Sequence, residues 1–150
     1  MNRIVVDASV VLKWYLVDEE YGKKALEILT QFVSGTVEIL APFLLEYELI
    51  NGLSIAQKRG RLKKEELIKA IEGFFKLGIE TKGLLPYYTK ALEVTEKFNI
   101  TVYDASYLAL AEAEGIPFIT GDTRLYNKVQ KDLKWVLWIG ATPKAVNSEQ

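Results

Sequence analysis

Short apolar runs alternate with longer segments of helical periodicity, and this alternation constrains the fold more than any other feature of the sequence. The predicted strands are residues 4–6, 37–40, 79–81, 118–120 and 136–139. The predicted helices are residues 8–16, 19–33, 43–58, 63–77, 86–98, 101–114 and 123–133. Strands separated by helices are typical of parallel pairing, because each connection must cross from one end of the sheet to the other. The pattern therefore predicts an α/β fold with a mainly parallel sheet.

The composition describes a packed globule whose chemistry is restricted to a few residue types. The chain has 150 residues, 49% of them hydrophobic and 26% charged, so we expect one domain over residues 1–150 with a polar tail from about residue 141. The absence of Cys excludes disulfides, thiolate zinc sites and cysteine nucleophiles. The absence of His excludes imidazole bases and imidazole metal ligands. Any catalysis must rest on carboxylates, hydroxyls, amides, Lys and Arg.

The N-terminal segment carries no targeting signal. A run of only three apolar residues precedes Asp7, so the segment lacks the apolar core of a signal peptide. No stretch of the sequence is long enough to span a bilayer. We therefore expect a cytoplasmic protein with no membrane partner. The formal net charge of −1 argues against a uniformly basic surface that would bind nucleic acid without selection.

Four carboxylates lie in apolar surroundings, unlike the many acids that alternate with Lys on solvated helix faces. They are Asp7, Glu48, Asp104 and Asp122. An ionised carboxylate in such a setting is unfavourable unless hydrogen bonds, a cation or a proton compensate it.

The three aspartates also have purely structural interpretations. Asp7 and Asp122 can cap the helices that follow them, since an Asp oxygen accepts the free N–H groups of a first helical turn. Asp104 lies three residues after Thr101, a spacing that fits a variant capping box. Taken singly, each aspartate is explained at least as well by capping as by chemistry.

Glu48 lies inside a predicted helix and has no capping role, so its alternative is an exposed or subunit-facing acid. Glu46 competes with it, because both positions have apolar neighbours three and four residues away. Asn51, three residues after Glu48, is a polar companion on the same helix face. Helical phase alone does not decide between the two glutamates.

Taken together, the acids indicate a metal site. The C-terminal ends of parallel strands lie on one edge of the sheet, and Asp7 and Asp122 both follow predicted strands. Asp104 opens a helix that no predicted strand directly precedes, so its convergence on that edge depends on the fold. Several carboxylates placed close together require a counterion, because like charges raise each other's pKa. An all-oxygen site without His or Cys suits Mg²⁺ or Mn²⁺.

A carboxylate-held Mg²⁺ without any histidine is mostly used in phosphate chemistry. The ion neutralises phosphate oxygens and lowers the pKa of a bound water. The sequence therefore favours metal-assisted phosphodiester hydrolysis.

The same residues carry a family pattern, in order and along nearly the full chain. Its segments are Ile-Val-Val-Asp7-Ala-Ser9-Val, Ala-Pro42 leading to Tyr-Glu48-Leu-Ile-Asn51-Gly-Leu, Val-Tyr-Asp104-Ala-Ser-Tyr-Leu-Ala-Leu-Ala, and Ile-Thr120-Gly-Asp122. Together they resemble the PIN-domain nucleases, and most closely the VapC toxins of prokaryotic toxin–antitoxin pairs.

The resemblance implies a three-layer α/β/α sandwich that cleaves single-stranded RNA with Mg²⁺ or Mn²⁺. It also implies a homodimer that a small antitoxin protein blocks. Carried over by position, the four carboxylates bind the metal and are catalytic, and the register favours Glu48 over Glu46. The supporting polar positions are Ser9, Asn51 and Thr120. Some relatives carry a further acid shortly after the last motif, where this chain has Thr123, Arg124 and, further on, Asn127, and this departure puts a fully occupied second metal site in doubt.

Two further groups have both a functional and a structural interpretation. The basic residues Lys58, Arg59 and Arg61 lie at the break between two helices, where they could contact the RNA backbone or simply form a solvated turn. The helix at 43–58 is apolar on nearly every face, which is typical of burial in the core or in a subunit interface. The aromatic residues that include Trp14 could stack on bases, but such residues are more often buried in a core or an interface.

Two other functions compete with the nuclease. A different Mg²⁺-dependent phosphohydrolase would need a second acid beside Asp7 or a Lys at the end of a late strand, and the sequence has neither. A catalytically silent domain of the same fold that binds RNA or protein is the other alternative. Retention of all four acids argues against a silent domain.

Overall fold

The computed structural model describes residues 2–141, which form five strands and seven α-helices. The strands are β1 (Asn2–Val6), β2 (Val37–Pro42), β3 (Glu80–Lys82), β4 (Phe118–Thr120) and β5 (Val136–Trp138). The helices are α1 (Ala8–Tyr15), α2 (Gly22–Val33), α3 (Leu44–Lys58), α4 (Lys64–Lys76), α5 (Tyr88–Phe98), α6 (Val102–Glu114) and α7 (Thr123–Val129). Short 3-10 turns cover Leu85–Tyr87 and Ile139–Ala141. The predicted polar tail, apart from Ala141, lies outside the described residues.

The strands form one sheet in the order β3-β2-β1-β4-β5, and every neighbouring pair is parallel. The chain moves outward from β1 through β2 to β3 and then returns to β4 on the other side of β1. The direction of winding therefore reverses between β1 and β4. In open parallel sheets, ligands bind in the crevice that this reversal opens at the C-terminal ends of the strands.

Helices cover the sheet in two groups, which confirms the predicted three-layer α/β/α architecture. The helix α1 contacts α2 and α3, α3 also contacts α4, and α1, α2 and α3 contact strands. The helices α5 and α6 form a separate pair, in which α6 packs on β1, β2 and β4. Residues 105–111 of α6 are all buried, so this helix forms much of the core on its side.

The apolar helix α3 buries one stripe and exposes the rest. Its buried residues are Leu45, Leu49, Leu53 and Ala56, at the spacing of a single helix face. Tyr47, on another face, is 75% exposed. The helix therefore contributes to the core through one side and leaves apolar side chains on the surface.

Several element boundaries differ from the predicted ones. The helix predicted from residue 19 begins at Gly22, because the Glu19 carboxylate binds Arg61 at 2.9 Å and Tyr21 takes a left-handed backbone conformation with φ of 63°. The helix predicted over 123–133 ends at Val129, and the last strand ends at Trp138. The helix predicted from residue 86 begins as a 3-10 turn.

Within residues 2–141, none of the helices combines the length and the apolar character needed to cross a membrane.

Candidate active site

Asp7 lies at the C-terminal end of β1 and caps α1. Its Oδ1 accepts a hydrogen bond of 3.1 Å from the Ser9 backbone N–H and a short bond from the Ser9 hydroxyl. Its Oδ2 accepts a bond of 2.6 Å from the Thr120 hydroxyl. Only 6% of Asp7 is exposed, so both oxygens are held in place by neighbours in the protein.

The two hydroxyls connect the loop after β4 to the start of α1. The Ser9 Oγ accepts from the Gly121 N–H at 2.7 Å, and the Thr120 Oγ1 accepts from the Asp122 N–H at 3.0 Å. Each hydroxyl thus donates to Asp7 and accepts from the β4–α7 connection. This network fixes Asp7 and Asp122 on opposite sides of the point where the winding of the sheet reverses.

Burial raises the pKa of Asp7 from 3.8 to about 6. The hydrogen bonds from Ser9 and Thr120 act in the opposite direction, and the charges of Asp122 and Glu48 raise the pKa further. The carboxylate therefore needs a nearby positive charge to stay ionised without cost at neutral pH.

Glu48 lies on α3 and is held by Tyr107 of α6. The Tyr107 hydroxyl donates to Glu48 Oε1 at 2.6 Å, and its ring stacks on Phe118 with centroids 5.8 Å apart. Burial raises the pKa of Glu48, the Tyr107 hydrogen bond lowers it, and the charges of Asp104 and Asp122 raise it.

Asp104 lies in the first turn of α6, and Asp122 caps α7. The Thr101 hydroxyl accepts from the Asp104 N–H at 3.1 Å, and Asp122 Oδ1 accepts from the Leu125 N–H at 3.1 Å. Burial raises the pKa of Asp104, and the charge of Asp122 raises it further. Asp122 therefore caps α7 as predicted, whereas α6 is capped by the Thr101 hydroxyl and not by the Asp104 carboxylate. Asp104 and Asp122 also interact electrostatically.

The structure brings the four carboxylates into one electrostatic cluster. Asp7 interacts with Asp122 and Glu48, and Asp104 interacts with both Asp122 and Glu48. None of the four has an ion pair within 4 Å among residues 2–141. Like charges are thus held close together with no basic partner in contact.

The donor set fits a hard divalent cation in its chemistry. All donors are oxygens, and the charge is uncompensated, as Mg²⁺ and Mn²⁺ require. In the described part of the chain, no three acids form a group that could hold an ion by themselves. A small ion that keeps several waters and binds through one or two carboxylates plus phosphate oxygens suits this open arrangement, whereas an ion that needs a closed protein cage does not.

Of the three supporting polar residues that were predicted, two contact Asp7 and one does not. Ser9 and Thr120 contact Asp7, whereas Asn51 is exposed and lines a cavity between α3 and α4 together with Glu46. Of the basic residues, Lys58 and Arg59 are exposed.

The third basic residue, Arg61, is already engaged within the protein. Its guanidinium binds Asp18 and Glu19, each at 2.9 Å. These bonds connect the end of α3 to the loop between α1 and α2.

Two residues at the site were not singled out by the sequence analysis. Tyr107 follows Asp104 by three residues, a helical spacing that could have indicated it. Lys13 follows Ser9 by four residues on α1 and is buried. A Cβ added at Gly121 would lie 3.2 Å from Lys13 Cε and 3.3 Å from Ser9 Oγ, which places the lysine stem beside the Asp7 network.

Comparisons with known proteins converge on one family. The family model described as PIN domain matches residues 4–131. Ribonuclease VapC3 of Pyrobaculum aerophilum is 33% identical over 129 residues, covering 84% of this chain and 94% of the relative. Ribonuclease VapC1 of Mycobacterium tuberculosis is 33% identical over 127 residues, covering 83% of this chain and 90% of the relative.

A solved structure shares the fold. The crystal structure of PAE2754 from Pyrobaculum aerophilum superposes with a TM-score of 0.66 at 22% sequence identity. The match covers 93% of this chain and 85% of that one.

Proposed function

The chain belongs to the PIN-domain family, and from this membership we propose that it is a metal-dependent endoribonuclease. It hydrolyses phosphodiester bonds of single-stranded RNA as the toxin of a toxin–antitoxin pair. The observation that carries the proposal is the electrostatic coupling of four acids that have no ion pair among the described residues, two of which, Asp7 and Asp122, lie at the crevice between β1 and β4. Relatives named VapC ribonucleases, which align with more than four-fifths of the chain, support the same activity.

Asp7, Glu48, Asp104 and Asp122 are the residues proposed to hold Mg²⁺ or Mn²⁺. A bound divalent ion would neutralise phosphate oxygens and lower the pKa of a bound water, which supplies the nucleophile for hydrolysis. Some relatives carry a further acid shortly after the last motif, where this chain has Thr123, Arg124 and Asn127, so the proposal does not require a second metal ion.

Other side chains position the carboxylates. Ser9 and Thr120 hold both oxygens of Asp7, and Tyr107 holds one oxygen of Glu48. Such partners fix the orientation of metal ligands and usually affect metal affinity nearly as much as the ligands do. Asn51 stays in the proposal only as a polar residue on the same helix as Glu48, since its side chain has no hydrogen bond to any of the four acids within the described residues.

The acidic site itself repels RNA until a cation occupies it, so the backbone must be attracted elsewhere. Lys58 and Arg59 are exposed and serve as proposed contacts to phosphates. Arg61 is a weaker contact in this proposal, because its guanidinium already binds two carboxylates.

The proposed partners are a second copy of the chain and a small antitoxin protein, and the enzyme is proposed to act on RNA in the cytoplasm. Large apolar side chains on the surface support self-association; Phe43, Tyr47, Leu85 and Tyr103 are each more than half exposed. Sedimentation of the purified protein measures its mass directly. A homodimer predicts twice the chain mass of 17.0 kDa, and a monomeric mass at all concentrations contradicts it.

A cleavage assay on single-stranded RNA tests the activity. The wild-type protein should cleave with Mg²⁺ or Mn²⁺ and lose the activity when the ion is chelated, and Asp7→Asn should be inactive. Asp132→Asn is the matched control, because Asp132 is exposed and lies outside the cluster. Folded wild-type protein that binds RNA but never cleaves it would instead establish the silent binding domain.

A further inference from the structure

A pocket lined mostly by polar residues lies directly beside the acid cluster. It lies between the α5–α6 connection and α7 and has a volume of about 230 Å³. Its lining residues are Asn99, Ile100, Thr101, Asp104, Arg124, Leu125 and Lys128. Asp104 belongs both to this pocket and to the cluster, so a ligand here is a direct neighbour of the reaction site.

The pocket carries two cations that differ in how they are held. Lys128 Nζ donates to the Asn99 backbone carbonyl at 3.1 Å, which leaves two of its three N–H donors for other partners. The Arg124 side chain is exposed and forms no hydrogen bond or ion pair with any residue in the range 2–141. Both cations line the pocket together with Asp104, and neither forms an ion pair with it.

These charges select the kind of ligand. Among the residues that line the pocket, Arg124 and Lys128 against Asp104 leave one net positive charge, which favours an anion over a metal ion. A guanidinium with all its donors unused matches the oxygens of a phosphate, to which it can bind through two parallel hydrogen bonds. Because the pocket adjoins the carboxylates proposed to act on the scissile phosphate, the anion that suits it is another phosphate of the same strand.

We propose that Arg124 and Lys128 bind the backbone phosphate next to the one that is cleaved. The inference rests on the proposed ribonuclease function and adds a subsite to it. The subsite supplies the positive charge that an approaching RNA strand lacks at the acid cluster. It also sets the register of the strand, because a phosphate fixed here places its neighbour over Asp104.

The first test measures RNA binding separately from cleavage. Fluorescence anisotropy of a labelled single-stranded RNA is measured with Mg²⁺ in the Asp7→Asn background, which prevents turnover. Adding Arg124→Gln should weaken binding about tenfold, and the slope of log affinity against log salt should fall by about 0.7, the value for one lost phosphate contact on a single strand. Arg124→Lys should recover part of the affinity, since it keeps the charge but loses the planar fork.

Lys131→Gln is the matched control. Lys131 is exposed, lies three residues after Lys128 and does not line the pocket. Lys131→Gln removes one positive charge from the same region as Arg124→Gln does, so any effect of net charge alone appears equally in both variants. We expect Lys131→Gln to change the affinity less than twofold.

The second test identifies the phosphate. Single methylphosphonate substitutions remove one backbone charge at a time along the RNA. At one position adjacent to the cleaved bond, the substitution should weaken binding about tenfold in the Arg124-containing protein and have little further effect in Arg124→Gln. Such non-additivity is the signature of two groups that contact each other.

The outcomes separate this inference from the function on which it rests. RNA that binds with equal losses in Arg124→Gln and Lys131→Gln, and with no position coupled to Arg124, overturns the subsite and leaves the nuclease intact. A coupled position in a protein that never cleaves RNA overturns the nuclease, and with it the placement of the bound phosphate next to a cleaved one. Failure of the protein to bind single-stranded RNA at all overturns both.

Discussion

At the scale of single residues, Asp7 is held on both oxygens before any ligand arrives. Ser9 and Thr120 orient it, but they compensate only part of the cost of burying its charge, since its pKa still lies at about 6. A carboxylate that is fixed in orientation but whose ionised form is disfavoured by burial and by neighbouring acids is typical of a functional site. Stability is thus lowered at the position where binding needs a fixed charge.

This cost predicts a pH dependence of stability. The folded protein binds the Asp7 proton more tightly than the unfolded chain, whose pKa is near 3.8, so the contribution of Asp7 to the free energy of unfolding is complete below pH 4 and is lost as the pH rises through about 6. The loss amounts to about 3 kcal/mol. Urea unfolding with a chelator present measures this loss. Between pH 4 and 7, the free energy of unfolding of Asp7→Asn should rise by this amount relative to that of the wild type. A constant difference between the two proteins across that range contradicts the prediction, and Asp132→Asn should follow the wild type.

Tyr107 offers a second test at this scale. Tyr107→Phe keeps the ring that stacks on Phe118 but removes the hydroxyl that donates to Glu48 at 2.6 Å. We expect a loss of about tenfold or more in apparent affinity for Mg²⁺ or Mn²⁺, measured from the ion dependence of cleavage, because a partner of a metal ligand has been removed. The acid limb of the pH–rate profile should also move to higher pH, since the hydrogen bond lowers the pKa of Glu48.

A matched tyrosine gives the control for this test. Tyr87 donates its hydroxyl to Glu114 at 3.2 Å, outside the acid cluster. Tyr87→Phe should therefore leave both the ion dependence and the pH profile unchanged. If both variants behave alike, the Tyr107 hydroxyl has only a structural role.

At the scale of elements, the sequence pattern predicted the order of strands and helices because each element has its own periodicity. The boundaries that it missed depend on distant contacts. The start of α2 is displaced to Gly22 by the bond between Glu19 and Arg61, two residues that are far apart in sequence. Periodicity within a segment carries no information about such a bond.

The sequence likewise predicted the parts of the site that depend on topology, but not those that depend on contacts between distant residues. Asp7 and Asp122 could be placed on one sheet edge because each follows a strand, and this depends only on topology. Glu48 could not be distinguished from Glu46 by helical phase; the family pattern made that choice, and the contact with Tyr107 exists only in three dimensions.

Lys13 could not be placed from the sequence for a similar reason. It reaches the site by packing against the loop after β4, more than one hundred residues away in sequence.

The packing of α3 against α1 gives a prediction for an element. A Cβ added at Gly52 would lie 2.8 Å from both methyl carbons of Leu12, whereas one added at Gly73 in α4 would meet nothing within 4 Å. Both substitutions to Ala gain about 1 kcal/mol of helix propensity. We expect Gly73→Ala to stabilise the protein by about that amount and Gly52→Ala to destabilise it by about 1 kcal/mol, because overpacking costs more than the propensity gain. Thermal unfolding of the two variants decides; equal stabilisation would show that Leu12 moves aside freely.

At the scale of the whole molecule, a formal net charge of −1 conceals an uneven distribution. Four acids share one crevice without a contacting cation, while basic residues such as Arg61, Lys82 and Lys90 are paired with carboxylates elsewhere. Folding therefore brings together like charges that are separated in the unfolded chain. A ligand that neutralises them only in the folded state must stabilise the entire protein.

The last prediction follows from that coupling. Mg²⁺ or Mn²⁺ at one hundred times its dissociation constant should raise the free energy of unfolding by about 2.7 kcal/mol, because it binds the folded state alone. Without the ion, Asp104→Asn should be at least as stable as the wild type, since the substitution removes repulsion by Asp122 and Glu48. When the ion is added, the free energy of unfolding of Asp104→Asn should rise clearly less than that of the wild type. Thermal unfolding at matched ionic strength separates this effect from general screening, and an equal gain in both proteins would show that the ion does not bind at the acid cluster.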